Sequence, residues 1–126
     1  MGDVLARRRA EGERLLGLAR EYVRRLSSAV RVRAAWVVGS VARGDFNVWS
    51  DVDVVVVSDA LPERIPDRAE LLAADAPPGV QAVGYSSDGF RAALRRGDPL
   101  AVSAVREGVI LRGGGFFRGS AQGFDP

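Results

Sequence analysis

Residues 37–57 read VVGSVARGDFNVWSDVDVVVV. An apolar run meets Gly39-Ser40, a short segment able to form one helical turn ends at Gly44, and a loop bearing Phe46 and Trp49 leads to Asp51-Val52-Asp53 and a run of valines. Glycine at position 39 leaves the backbone bare, so a chain of phosphates can approach closely. A helix beginning at Ser40 points free N–H groups and the positive end of its dipole at the same place. On a strand, side chains two apart leave one face with Cα atoms about 6.5 to 7 Å apart, so Asp51 and Asp53 form a pair of neighbouring, mutually repelling carboxylates. Setting that pair beside valines 54–57 is costly unless a cation neutralises it, and magnesium, with its preference for carboxylate and phosphate oxygens, is the natural candidate. Gly-Ser alone is an ordinary turn, and Asp-x-Asp alone is an ordinary strand edge. In sequence, the two halves explain each other: metal held at the aspartates would bridge to phosphates held at Gly39 and Ser40.

Composition narrows the chemistry from the other side. With 126 residues, 47% of them apolar and 27% charged, the chain is long enough for one ordinary core and too short for two. No apolar run approaches the roughly 20 residues of a membrane-spanning helix, and the first thirty residues are arginine-rich and amphipathic, without the apolar centre of a signal peptide. The expectation is a soluble, cytoplasmic protein with no membrane contact. Histidine, lysine, threonine and cysteine are all missing. That excludes a Ser-His-Asp triad, a P-loop lysine, a Schiff base, a disulfide framework and the usual zinc sites. Carboxylates, serines, arginines and backbone amides remain, a set suited to hard cations and phosphate. The net charge of +2 is unevenly spread, with nine arginines against four acids in residues 1–33 and nine against twelve in residues 34–126. A cationic first segment suits RNA or an acidic partner, but an arginine-rich helix is more often a solvated face.

Working outward from the central stretch, residues 15–26 place Leu15, Leu18, Ala19, Tyr22, Val23 and Leu26 on one face of a docking helix, within an N-terminal helical segment spanning 1–28. Residues 30–38 read as a strand entering a buried sheet and halting at Gly39, and residues 51–57 as a second strand. A helix is expected over 67–74, closed by Pro77-Pro78-Gly79, then a strand over 80–85. Ser86 or Ser87 caps the next helix, Gly97 ends it, Asp98-Pro99 opens another that Gly108 stops, and residues 109–111 form a last strand. The division is therefore a single domain over 1–112 and a tail over 113–126, whose five glycines and three phenylalanines do not make a core element. The fold class is α/β in the α+β sense, a small mixed sheet flanked by helices.

The same stretch resembles the signature of the nucleotidyltransferase superfamily that includes DNA polymerase beta. It is especially similar to the minimal nucleotidyltransferases of bacteria and archaea, whose pattern runs Gly-Ser-x-Ala-Arg-Gly, a short loop, then Ser-Asp-x-Asp and apolar residues. Gly39, Ser40, Ala42, Arg43, Gly44, Ser50, Asp51 and Asp53 fall on that pattern. Residues 85–90 and 106–111 are similar to the later helix and final strand of the same domains, which extends the likeness over most of residues 15–112. The resemblance implies magnesium at Asp51 and Asp53, a nucleoside triphosphate held by Gly39, Ser40, Arg43 and Ser50, and transfer of a nucleotidyl group, AMP from ATP, to a hydroxyl of a protein or RNA. It also implies the antitoxin half of a pair with a helical HEPN-type toxin, with a homodimer as a further option. Arg43 reads equally as phosphate contact or structural support, and Phe46 and Trp49 read first as loop anchors and second as platforms for a base. One position departs from the pattern. The third carboxylate of the family, which acts as base toward the acceptor hydroxyl, falls at Gln81, and glutamine neither takes a proton at neutral pH nor offers a negative ligand. Either another acid such as Asp45 or Asp88 substitutes, or the domain is a non-catalytic module that binds nucleotide or a partner. An RNA-binding role led by the first helix ranks last, for want of interleaved aromatics.

Overall fold

The structure is a computed structural model and describes residues 2–47 and 49–113. Helix α1 (Gly2–Ala29) leads to β1 (Ala34–Val38), the short α2 (Gly39–Arg43), β2 (Val52–Val57), α3 (Ile65–Ala74), β3 (Val80–Tyr85), α4 (Ser87–Arg95), α5 (Pro99–Glu107) and β4 (Val109–Arg112). The four strands form one sheet in the order β3-β2-β1-β4. The β1–β2 and β1–β4 pairs are antiparallel and β2–β3 is parallel, so the sheet is mixed.

Both faces of the sheet are covered, which is why β1 and most of β2 are buried without alternation. Ala35, Val37, Val52, Val54 and Val56 face α1 and α3, where Leu15, Ala19, Tyr22, Val23, Leu26 and Leu72 complete one core. Ala34, Trp36, Val38, Val55 and Val57 face α4 and α5, where Phe90, Ala93, Leu94, Ala101, Ala104 and Val105 complete the other. Trp36 stacks on Phe90 with centroids 5.1 Å apart, the offset arrangement that aromatic pairs favour. The Tyr22 hydroxyl, buried, donates to the Leu72 carbonyl at 2.6 Å and so joins α1 to α3.

The punctuation read from the sequence is largely where the chain turns. Gly44 closes α2 at φ 84° with its N–H on the Ser40 carbonyl, the Ser86 hydroxyl accepts from the Gly89 N–H, and the Asp98 carboxylate caps α5 at Leu100 and Ala101. Three boundaries move. The helix expected from residue 67 begins at Ile65, because Pro66 fits its first turn, where the missing N–H costs nothing. The strand expected from residue 30 begins at Ala34, because α1 continues to Ala29 and Val30 N–H still donates to the Leu26 carbonyl. The second strand begins at Val52, leaving Asp51 at its mouth. No helix among the described residues is long and apolar enough to cross a membrane. The tail expectation falls on residues 114–126, outside the described residues.

Candidate functional site

Pairing register assembles the site. Val38, the last residue of β1, lies opposite Asp53, and Asp53 in turn lies beside Gln81 on β3. Neighbours in register share a face, so the Asp53 and Gln81 side chains emerge together on the side covered further along by α4 and α5. At the end of β1 the chain turns through Gly39, whose φ of +76° is a left-handed conformation that costs an L side chain energy. A β-carbon at that position would also stand 2.9 Å from a carboxylate oxygen of Asp53. Glycine is thus required twice over, once for its backbone angle and once because Asp53 occupies the space beside it.

Asp53 is half-buried, and burial raises its carboxyl above the ordinary carboxylate range, with the negative charge of Asp51 adding to the shift. Asp51 is exposed at the strand mouth and accepts a hydrogen bond from the Gln81 amide, Nε2 to Oδ2, at 3.0 Å. Among the described residues no three acidic side chains gather to hold a metal ion, so the protein's own donor set here is two carboxylates. That set fits magnesium, which takes one or two carboxylates and completes its octahedron with water and substrate phosphate oxygens. A cation would offset both the burial of the Asp53 charge and its repulsion by Asp51.

The remaining residues singled out from the sequence divide. Ser40 opens α2 beside Gly39, and its hydroxyl enters none of the hydrogen bonds among the described residues. Arg43 turns toward acids, with Nε 3.2 Å from Asp45 and Nη1 3.9 Å from Glu107. Ser50 closes the loop, its hydroxyl accepting from the Asn47 N–H at 2.9 Å and its own N–H donating to the Asn47 carbonyl. Phe46 is buried in the core under α1, as a loop anchor, whereas Trp49 is 88% exposed. Of the two acids able to replace the third carboxylate, Asp88 drops out on topology. It sits on α4 beyond Tyr85, the far end of β3, and the four residue steps from Gln81 to that end span about 13 Å of strand. Asp45 lies at the correct end, paired with Arg43.

One contact escaped the sequence reading. Arg8 of α1 donates through Nη2 to the carbonyls of Gly44 and Phe46 at 3.0 and 2.6 Å, and its guanidinium lies 4.7 Å from the Phe46 ring centre. In a run of three arginines, residues 7–9, periodicity gives no reason to choose the middle one.

Comparison with known proteins gives the family and the fold. The family described as nucleotidyltransferase domain matches residues 18–96, which hold β1, α2, β2 and β3 with both aspartates and Gln81. A candidate nucleotidyltransferase from Sulfolobus solfataricus, known from its crystal structure, superposes with a TM-score of 0.63 at 23% identity, over 82% of this chain and 84% of that one. A toxin-antitoxin crystal structure with AMP-PNP superposes with a TM-score of 0.55 at 18% identity, over 82% and 84%. No curated protein sequence matches the chain. The two structures share the fold, and the family match extends over more than half of the sequence, including the Gly-Ser turn and the Asp-x-Asp strand: the chain belongs to the nucleotidyltransferase domain family.

Proposed function

We propose that the chain binds a magnesium nucleoside triphosphate and transfers its nucleotidyl group to a hydroxyl on a partner, with Asp51 and Asp53 as metal ligands and Gly39 and Ser40 against the phosphates. The observation that supports this reading is the nearness of the Asp53 carboxylate to the Gly39 turn, where a β-carbon would stand 2.9 Å from its oxygen. Bound magnesium would supply charge neutralisation at the phosphates and a fixed line between attacking and leaving oxygens. The residues of the chain do the rest. Gly39 lets the triphosphate approach the main chain, Ser40 offers a hydroxyl with no competing partner among the described residues, and Asp51 and Asp53 hold their charges side by side. In the transfer the acceptor oxygen bonds to the α-phosphorus, the bond to pyrophosphate breaks, pyrophosphate leaves with its electron pair, and the acceptor proton passes to solvent water. Gln81 cannot take that proton.

Arg43 and Ser50 support the site at one remove, Arg43 through Asp45 and Ser50 through the Asn47 turn. ATP as donor and a small helical protein as acceptor, in a toxin-antitoxin pair, are the finer reading. It draws support from the family pattern at residues 39–53 and from the fold shared with a toxin-antitoxin crystallised with AMP-PNP. The test is to incubate the protein with magnesium, α-labelled ATP and the product of any adjacent gene encoding a small all-helical protein. Label should pass to the partner and should disappear with Asp53→Asn; label that persists in that variant refutes the metal assignment.

A second reading rests on the Gln81–Asp51 hydrogen bond, which fills the place of a third acid with a neutral donor. In that reading the domain binds nucleotide without turning it over. Magnesium and ATP then raise the melting temperature while no acceptor is labelled.

A further inference from the structure

Helix α1 is longer than its core requires. Its first buried residue is Leu15, and residues 2–10 are exposed throughout, so a stretch of about 20 Å precedes the first residue that the helix itself buries. Apolar burial does not explain that projection. What reaches back from it is Arg8, which grips the turn after α2 at two points through the carbonyls of Gly44 and Phe46. The same guanidinium covers one side of the Phe46 ring at 4.7 Å, and α1 approaches the ring again at Gly12, where a β-carbon would stand 3.4 Å from two ring atoms. The grip therefore has main-chain, cation–π and steric components, all on one short turn.

That turn joins the two halves of the site. Ser40 and Arg43 lie just before it on α2, and Ser50 and Asp51 lie just after the loop that follows. Gly44 and Asp45 N–H groups both return to the Ser40 carbonyl, so a shift of the turn shifts the residue that opens α2. We propose that Arg8 is a positioning residue of the nucleotide site: it fixes the Gly44–Phe46 turn from outside and thereby sets Ser40 relative to Asp51 and Asp53. The proposal rests on the nucleotide-binding reading above. It gives the projecting half of α1 a task, the bracing of a turn that is anchored in the core at Phe46.

The alternative is that Arg8 only fastens the helix end, and stability and affinity separate the two. The full chain is compared with Arg8→Ala, Arg8→Lys and Arg14→Ala, the last removing an arginine of the same projecting stretch whose partner among the described residues is the local Glu11. Magnesium-ATP affinity is read by calorimetry, loop order by hydrogen exchange of the amides over 44–51, and stability by melting. Arg8→Ala should bind about tenfold more weakly, since small misplacements of binding groups are amplified in affinity, and should exchange faster across the loop while melting within about 2 °C of wild type. Arg8→Lys should recover part of the affinity, because an ammonium can reach one carbonyl but lacks the planar fork that spans two and lies flat on a ring. Arg14→Ala should match wild type. Wild-type affinity and exchange in Arg8→Ala would overturn the proposal, as would a loss of affinity that only follows a fall in melting temperature. A wild-type chain with no affinity for magnesium-ATP refutes the functional reading itself and removes the positioning role with it; a loss that is full in Arg8→Ala, partial in Arg8→Lys and absent in Arg14→Ala is the supporting result.

Discussion

The Gln81 amide nitrogen stands 3.0 Å from a carboxylate oxygen of Asp51, while the Gln81 backbone lies in register with Asp53. A carboxylate can only accept, so the amide acts as a neutral strut between β2 and β3 that satisfies one oxygen without adding charge. An acid in its place would put a third negative charge beside two that already repel.

Gln81→Asp should therefore lower the melting temperature of the metal-free protein by a few degrees and enlarge the stabilisation that magnesium gives. Melting curves with and without magnesium check this. If nucleotidyl transfer is slow in the native chain for want of a base, the same variant should accelerate it. A magnesium shift no larger than wild type's would show that Gln81 does not share the space of the two aspartates.

Gly39→Ala combines two penalties. The left-handed angle costs an alanine about 1 to 2 kcal/mol, and the new β-carbon at 2.9 Å pushes the Asp53 carboxylate aside. Gly97→Ala separates them, because Gly97 also has positive φ, at 73°, but nothing lies within 4 Å of its β-carbon position. Both variants should lose stability by urea titration. Only Gly39→Ala should also lose magnesium-nucleotide affinity.

In the core, Tyr22→Phe leaves the buried Leu72 carbonyl without its donor and should cost about 1 to 2 kcal/mol by urea titration. Burial, with a smaller contribution from Asp75, pushes the Tyr22 phenol up to about 12. A spectrophotometric titration should show one tyrosine that resists ionisation until then, and that step should vanish in the variant.

Much of this arrangement is legible in the sequence because it is local. The Gly-Ser turn, the Gly44 stop, the Ser86 and Asp98 caps and the extent of β3 depend on residues a few positions apart, where backbone conformation and hydrogen-bonding preference act directly. The contact of Asp53 with Gly39 joins residues fourteen apart, and it was legible only because the two patterns occur in one order with one spacing. The start of β1 was not legible. Val30 and Val32 alternate with arginines as a strand would, yet α1 runs on to Ala29 and residues 30–33 serve as the connection. Propensity is silent on Arg8 for a different reason. Its partners are main-chain carbonyls, which carry no residue identity, thirty-six and thirty-eight positions away.

Acid should act on the metal-free fold through two aspartates of opposite sign. Asp59 accepts hydrogen bonds from the Ser87 N–H and hydroxyl, both at 2.8 Å, and from Arg33 at 3.2 Å, joining the loop after β2 to the start of α4. The Ser87 bonds first, then Arg33, hold its carboxyl below the usual range. Its contribution is thus complete above the unfolded-state value near 4 and is lost as pH falls through the lower folded value. Asp53 runs the other way. Burial and Asp51 raise its carboxyl, so the fold without metal favours the neutral acid and becomes relatively less stable as pH rises through the unfolded and then the folded value. Asp59→Asn should flatten the acid limb of a plot of melting temperature against pH. Asp53→Asn should raise the metal-free plateau at neutral pH by roughly 2 to 5 °C and abolish the magnesium response. A metal-free plateau lowered by Asp53→Asn would mean that the Asp53 charge is already compensated by the protein, and that the pair has no call for a cation.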